Sequence, residues 1–463
     1  MHLLIVVGAL IFLIFAAYRG HSVILFAPIA AMGAVLLTDP AAVPPVFTGV
    51  FMEKAAGFVK NYFPVFLLGA VFGKLIEISG LARAIVQGVI SLAGRERAML
   101  AIVAVTAMLT YGGVSVFVVV FAVYPFAAAM FRASDIPKRL IPATIGLGAF
   151  TFTMDSLPGS PQIQNIIPTT FFKTTAWAAP TLGVIGGLFI LTCGLLYLDW
   201  RRRQARSAGE GYGLAHINEP AASDERATLH PLIAILPLAV VGVANIVLTY
   251  EIQAYYGATA SFALVPGAKP IIADVTQTKA IWAVEGALII GILAVLALGW
   301  KSIQRDFAQG SKDAVAGALL ASLNTASEFG FGAVIAALPG FIVITDALKS
   351  IPIPLVNEAL TVTALAGITG SASGGLSIAL GAMADQFVSA ANAAGIPLDV
   401  LHRVASMASG GMDTLPHNGA VITVLAVTGL THRQAYKDIF AITILKTIAV
   451  FVVIAVYYAT GWV

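Results

Sequence analysis

The chain has 463 residues, of which 59% are apolar and only 11% are charged, and its mean hydropathy is +0.92. Because a soluble domain carries about 25% charged residues, this composition excludes a soluble globular protein and indicates an integral membrane protein. The net charge of +3 does not indicate nucleic-acid binding. The single cysteine, Cys193, excludes an intrachain disulfide and a cysteine-based metal cluster.

Continuous apolar stretches predict the transmembrane helices. A helix needs about 20 residues to cross the hydrocarbon core of a bilayer, and somewhat fewer in a thin one. The first stretch lacks a positively charged start, so we interpret it as a helix and not as a cleaved signal peptide. Two shorter or amphipathic stretches, 46–60 and 81–94, are predicted to lie along the interface. The predicted spans are 2–18, 22–38, 62–80, 178–198, 229–250, 280–299, 316–338 and 438–459.

Four further apolar stretches are interrupted. Residues 97–131 are too long for one crossing, and their central glycines divide them into arms too short to span, which predicts a re-entrant helical hairpin. Residues 359–391 repeat this pattern. Residues 138–172 and 398–428 are long enough for one crossing but contain a Leu-Pro pair. Proline removes a backbone N–H and disfavours helix in the preceding residue, so both are predicted to be broken helices.

The interruptions occur as matched pairs. Gly112-Gly113-Val114-Ser115 in the first hairpin resembles Gly374-Gly375-Leu376-Ser377 in the second. Asp155-Ser156-Leu157-Pro158 in the first broken helix resembles Asp413-Thr414-Leu415-Pro416 in the second. Both pairs are separated by roughly 260 residues and keep the same order, which indicates an internal duplication.

The positive charges predict how the two copies are oriented. If Arg201–Arg203 are cytosolic, most Lys and Arg residues fall on the cytosolic side, and Arg403 falls on the outer side. In this layout the first hairpin enters from the cytosol and the second from outside, so the repeats are inverted. We predict an all-α inverted-repeat transporter whose halves, 1–198 and 229–463, are joined by a cytosolic linker at 199–228.

The broken stretches are the predicted binding site. Non-helical backbone is tolerated at membrane depth only where protein or a water-filled cavity satisfies its polar groups. Each break starts a half-helix with unpaired N–H groups and a positive dipole end, and glycines at the tips expose more backbone. Two tips and two breaks related by a pseudo-two-fold therefore predict a midplane pocket for a small carboxylate. The predicted binding residues are Gly112, Gly113, Ser115, Asp155, Ser156, Ser371, Ser373, Gly374, Gly375, Asp413, Thr414 and Asn418.

Three titratable residues are candidates for ion coupling. Asp155 and Asp413 lie in apolar sequence, where an ionisable group costs at least about 2.5 kcal/mol and usually faces a cavity. His417 titrates in a range that suits proton transfer. The alternative roles are local: the aspartates cap the following half-helix, and the histidine is held neutral by backbone. For the glycines of the hairpin tips, the alternative to substrate binding is close packing between helices. Glu328 is a candidate for lining the cavity or a dimer contact.

With these motifs, the chain resembles the gluconate permease (GntP-type) family of the ion-transporter superfamily. The resemblance extends over essentially the whole length and rests on Tyr111–Ser115, Asp155–Pro161, Ser371–Ser377 and Asp413–Asn418. It implies proton-coupled symport of small hydroxylated monocarboxylates, such as gluconate or 3-hydroxybutyrate, across the bacterial inner membrane. It also implies a homodimer in which a mobile transport domain moves as an elevator against a scaffold domain. No cofactor and no metal site are predicted.

Three alternatives stay open. Sodium is an alternative coupling ion. An anion channel is an alternative to a symporter, because re-entrant loops also build selectivity filters. An intramembrane serine hydrolase would use Ser373 as nucleophile and His417 or His402 as base. The inverted duplication has no explanation in a hydrolase, so the sequence favours a transporter over an enzyme.

Overall fold

A computed structural model describes residues 1–19, 21–93, 97–114, 116–213, 217–219, 230–263, 265, 269–343, 351–416 and 418–463. Within these ranges the protein is almost entirely helical, with one antiparallel strand pair, β1 (Thr259–Phe262) and β2 (Ile271–Asp274), in which Thr259 is opposite Asp274. The helices are α1 His2–Tyr18, α2 Val23–Thr38, α3 Val43–Val46, α4 Glu53–Ile78, α5 Leu81–Ala93, α6 Ala98–Tyr111, α7 Val116–Ala133, α8 Ile141–Ala149, α9 Phe152–Asp155, α10 Ile163–Phe172, α11 Pro180–Ser207, α12 Pro231–Tyr256, α13 Val275–Ala337, α14 Pro354–Thr369, α15 Ala372–Ala393, α16 Leu398–Ser409, α17 Gly419–Thr428 and α18 His432–Thr460.

Among the described residues, five helical segments are long and apolar enough to cross a membrane, judged by length and composition. Large apolar side chains on several of the apolar helices face outward, as expected for lipid contact; examples are Leu4, Leu196, Leu232 and Leu293. Together with the composition, these segments indicate a membrane protein. The five segments are Pro40–Ile78, Pro180–Ser207, Pro231–Tyr256, Thr278–Ala337 and His432–Thr460.

The separation of 46–60 from 62–80 is wrong. A π-helical stretch, Phe47–Met52, joins α3 to α4, and the helix continues without a break to Ile78. The charged residues that made the first stretch resemble an interfacial segment, such as Glu53 and Lys54, are simply exposed on the helix surface. The predicted amphipathic stretch at 81–94 is a separate helix, α5.

The predicted spans 280–299 and 316–338 are not separated by a loop, because both belong to the 63-residue helix α13. A straight helix of this length would measure about 95 Å, roughly three times the thickness of a bilayer core. The contacts of α13 with α4 instead require a strong bend. Along α13 the contacted residues of α4 first move toward the end of α4 and then back toward its start. Going along α13, these contacts are Gly291 with Phe72, Gly299 with Ser79, Gly310 with Lys74 and Gly330 with Phe51.

The hairpins and breaks lie where the sequence predicts them. The first hairpin is α6 and α7, with Gly113 at a φ of +96° in the turn, and the second is α14 and α15, with Gly370 at +65°. These positive φ values favour glycine. The first broken helix consists of α8, α9 and α10, and its interruption starts earlier than the Leu-Pro pair, at Phe150. The second broken helix consists of α16 and α17.

The predicted linker is partly helical. Helix α11 continues to Ser207, beyond the predicted end of the span at 198. Near its end, the carboxylate of Asp438 on α18 accepts hydrogen bonds from Arg201 at 2.5 Å, Arg139 at 2.9 Å and Tyr197 at 2.7 Å. Arg139 also binds Glu210 in the linker at 2.7 Å, and this hydrogen bond lowers the pKa of the Glu210 carboxyl. Residues that were predicted to be cytosolic therefore lie together.

Paired cysteines test the bend in α13. In a Cys193→Ser background, we expect a short thiol cross-linker to join Ile78→Cys to Gly310→Cys, and Phe51→Cys to Gly330→Cys, since each pair is in contact. The mismatched pair Ile78→Cys with Gly330→Cys should not react. Because a straight helix cannot satisfy both matched pairs, failure of either one, measured by mass spectrometry, would contradict the bend.

Candidate functional site

The two broken helices pack directly on each other. The backbone carbonyl of Asp155 in the first break accepts hydrogen bonds from Arg403 Nη1 at 3.1 Å and from Ser406 Oγ at 2.8 Å, both on α16. Gly410, just after α16, lies so close that a Cβ atom there would overlap Asp155 Oδ2. The structure therefore brings Asp155 against the end of the first arm of the second break.

A buried lysine joins the second break to the first. Lys446 on α18 forms an ion pair with Asp413 and donates a hydrogen bond to the carbonyl of Phe150 at 3.1 Å. Only 1% of Lys446 is exposed, and Asp413 is also buried. Removing one member of such a pair leaves the other charge uncompensated in a medium of low polarity. Lys446 thus holds the Asp413 loop against the end of α8.

The two aspartates have different partners. Asp155 accepts a hydrogen bond from Ser156 Oγ at 2.8 Å. In the part of the chain that the structure describes, no basic side chain comes within 4 Å of its carboxylate, whereas Asp413 is paired with Lys446. The repeats are therefore similar in sequence but not equivalent in charge.

Arg403 is a buried residue between the two breaks, and its position on the outer side stays a prediction. Its guanidinium donates to the carbonyl of Ala178 at 2.8 Å and to Asn165 Oδ1 at 3.1 Å, besides its bond to Asp155. Every residue of α16 from Val400 to Ser409 is buried. Carbonyl oxygens from the first repeat thus satisfy this buried cation. Gly183 allows this approach, since a Cβ there would lie 3.0 Å from Arg403 Nε.

The neighbouring His402 is held by the first repeat. Its Nδ1 lies 2.6 Å from Thr174 Oγ1 and its Nε2 lies 3.3 Å from Asn165 Oδ1. Asn165 also donates to the carbonyls of Ser160 and Ala176, each at 2.9 Å. With both ring nitrogens engaged by Thr174 and Asn165, the hydrolase alternative gains no support from His402.

Each hairpin tip is tied to the break of its own repeat. Tyr111 Oη donates to the carbonyl of Pro158 at 2.8 Å, and Gln162 Nε2 donates to that of Thr110 at 2.7 Å. In the second repeat, Asn418 Nδ2 donates to the carbonyl of Gly370 at 2.8 Å, and its Oδ1 caps α17.

The glycines of the two tips have separate surroundings. Gly112 packs against Leu238 of α12, and Gly113 lies near Pro161, Leu288 and Phe72. In the other tip, a Cβ at Gly374 would overlap the carboxylate of Glu328, and Gly375 packs on the backbone of Ala366. None of the atoms nearest to the glycines of one hairpin tip belongs to the other hairpin tip. The structure thus brings the two breaks together without bringing these four glycines together.

The remaining predicted residues lie near the second tip and the second break. Ser371 caps α15 by accepting a hydrogen bond from the N–H of Gly374 at 3.1 Å, and Ser373 Oγ lies 3.3 Å from Thr325 Oγ1. Thr414 Oγ1 lies 2.7 Å from Thr443 Oγ1. Ser115 and His417 lie outside the described residues, so their roles stay predictions.

Comparison with known proteins identifies the family. No family model matches the sequence. The "Uncharacterized transporter YxjC" of Bacillus subtilis is 55% identical over 470 aligned residues, which cover the whole of both chains. The chain belongs to the family of this transporter. An "Uncharacterized transporter" of Haemophilus influenzae is 33% identical over 188 residues, which cover 40% of this chain and 43% of the relative.

A solved structure shares the fold. The YdaH transporter of Alcanivorax borkumensis superposes with a TM-score of 0.50 at 14% sequence identity, over 89% of this chain and 88% of that one. At this identity the similarity concerns the fold alone. It supports a membrane transporter architecture, whereas assignment to the GntP-type family in particular stays a prediction.

Sequence reasoning missed several buried charges of this transporter-family protein. Neither Lys446 nor Glu358 is among the residues that the sequence predicts for the site. Glu358 is 0% exposed, and neither carboxylate oxygen has a hydrogen-bond partner among the described residues. An ionisable residue within a long apolar run was the available signal for both.

The pair of Lys446 and Asp413 can be tested by a double-mutant cycle. We expect Lys446→Met to destabilise the purified protein by about 3 kcal/mol or more, because it leaves Asp413 buried and unpaired. Adding Asp413→Asn should recover much of this loss in thermal or denaturant unfolding. Arg202→Met is the control, since the half-exposed Arg202 pairs with Asp199 near the end of α11 and should change stability by less than about 1 kcal/mol. Additive effects of the two buried substitutions would contradict the assigned pairing.

Proposed function

We propose that this protein is a proton-coupled symporter of small hydroxylated monocarboxylates in the bacterial inner membrane, of the GntP type. The observation that carries the proposal is the direct packing of two broken helices, with Arg403 and Lys446 buried beside Asp155 and Asp413. Buried cations and the N-terminus of α17 favour a carboxylate, and neighbouring hydroxyl and carboxylate oxygens suit substrate hydroxyl groups.

The charges of these four residues suggest how a proton is coupled. With all four ionised, the region is electrically neutral, and an entering carboxylate adds one negative charge. A proton on Asp155 removes that charge, so the loaded site is neutral again during transit. Asp155 suits this role better than Asp413, because Asp413 is already held by Lys446.

We further propose that transport proceeds by an elevator movement. Helices α2, α4 and α12 pack on α13 and form the scaffold. The hairpins and broken helices pack on one another, as in the contacts of α6 with α8, α14 with α15 and α10 with α16, and form the moving unit. The homodimer implied by the family resemblance stays part of this proposal.

Uptake into proteoliposomes tests the function. Wild-type protein should accumulate radiolabelled gluconate or 3-hydroxybutyrate against its gradient when the lumen is alkaline, with saturation and counterflow as expected of a carrier. Asp155→Asn should abolish this accumulation, because the proton site is lost, and retain counterflow. Asp199→Asn is the control, since Asp199 pairs with Arg202 at the end of α11.

Intact uphill uptake by Asp155→Asn would reject the assigned proton site. Uptake driven by a sodium gradient alone would show that sodium, and not a proton, is the coupling ion. Conductance without saturation or counterflow would favour the channel.

A further inference from the structure

A buried carboxylate outside the two breaks forms a second polar cluster. Only 4% of Glu328 on α13 is exposed, and its Oε2 has no hydrogen-bond partner in the described part of the chain. Its carboxylate lies against Gly374 at the start of α15, so closely that a Cβ atom on Gly374 would overlap Oε2. An ionised carboxylate buried in this way needs a cation or a proton to compensate its charge.

Three hydroxyl oxygens complete this cluster, which we name the Glu328 site: Glu328, Thr325, Ser371 and Ser373, with Gly374 as its floor. Ser373 Oγ lies 3.3 Å from Thr325 Oγ1 and 3.5 Å from Ser371 Oγ. Two oxygens that bind one hard cation at about 2.4 Å and at right angles are about 3.4 Å apart. The spacing of the hydroxyl oxygens therefore matches that of ligands around a hard cation.

Within the described ranges, no charged side chain forms an ion pair with Glu328. The ionisable residues on the elements packed against this part of α13 include Glu53, Lys54 and Lys60 on α4, Asp385 on α15 and Lys173 after α10, and all five are exposed. The residue next to Glu328, Phe329, packs on the aromatic rings of Phe58 and Phe171. A single carboxylate in apolar surroundings balances one positive charge, which favours a monovalent over a divalent ion.

We propose that the Glu328 site binds a monovalent cation in addition to the proton carried by Asp155, either a sodium ion held by Glu328 and the three hydroxyl oxygens or a second proton on Glu328. This inference rests on the proposed function for its coupling role, but cation binding itself can be measured without transport. The site lies between α13 of the proposed scaffold and α15 of the proposed moving unit. Neutralising Glu328 at this interface would remove the cost of moving a buried charge past α15.

Thermal unfolding of the purified full-length protein tests the site directly. In wild type, replacing choline chloride by sodium chloride at constant pH should raise the Tm by about 4 °C if sodium is the ligand. If a proton is the ligand, the sodium effect should be absent, and lowering the pH from 8 to 6 in choline chloride should stabilise the protein. The sodium response should fall to less than about a quarter in Glu328→Gln and in Thr325→Val, whereas the proton response should be reduced in Glu328→Gln and unchanged in Thr325→Val.

Two control variants separate this site from a general effect of carboxylates. Glu285→Gln changes a half-buried carboxylate on the same helix, and Glu358→Gln changes a buried one on α14. Both should retain the full sodium response of the wild-type protein. If Glu328→Gln responds like wild type, or if wild type responds to neither ion, the inference is wrong.

The thermal unfolding test does not depend on the transported carboxylate substrate. A cation response that depends on Glu328, without uptake of any carboxylate, would retain the cation site and reject the proposed symport. Uptake that is coupled to an ion but unchanged in Glu328→Gln would retain the symport and reject this site.

Discussion

The arrangement depends on two buried cations that hold the broken helices together. Arg403 of the second repeat satisfies backbone carbonyls of the first at Asp155 and Ala178. Lys446 joins the Asp413 carboxylate to the carbonyl of Phe150. A broken helix leaves unpaired backbone groups that lipid cannot satisfy. Here the first break is stabilised by two charged side chains from the second half of the chain, so the first half could not form its part of the site alone.

This constraint also gives the two aspartates unequal charge partners. The duplicated sequence places an aspartate in each break, yet Lys446 pairs only with Asp413. Asp155 is left with a serine hydroxyl and a close glycine backbone. In the proposed mechanism, the paired aspartate has a positioning role and the other carries the proton. One duplicated motif thus supplies two different roles because a single lysine in α18 breaks the symmetry.

Local chemistry explains which features could be predicted from the sequence. The positive φ values at Gly113 and Gly370 and the proline breaks depend on residues next to each other, so hairpins and breaks were found. The continuity of α13 could not be predicted, because the polar middle of this helix resembles a loop in the sequence. In the structure this part of α13 packs against α4, and Lys74 approaches Asp313 to 4.0 Å.

The role of Arg403 was equally hidden, because its partners lie more than 200 residues away in the chain. Side-chain contacts across repeats have no signature in a single sequence. The pairing of motifs predicted that the breaks meet, but not which cations join them.

The most direct measurement is an electron cryo-microscopy structure of the protein with bound gluconate or 3-hydroxybutyrate. The account predicts carboxylate density between the two breaks, next to Asp155 and within reach of Arg403 or Lys446. Density for the carboxylate elsewhere, with the two breaks closed and empty in the same particles, would contradict it.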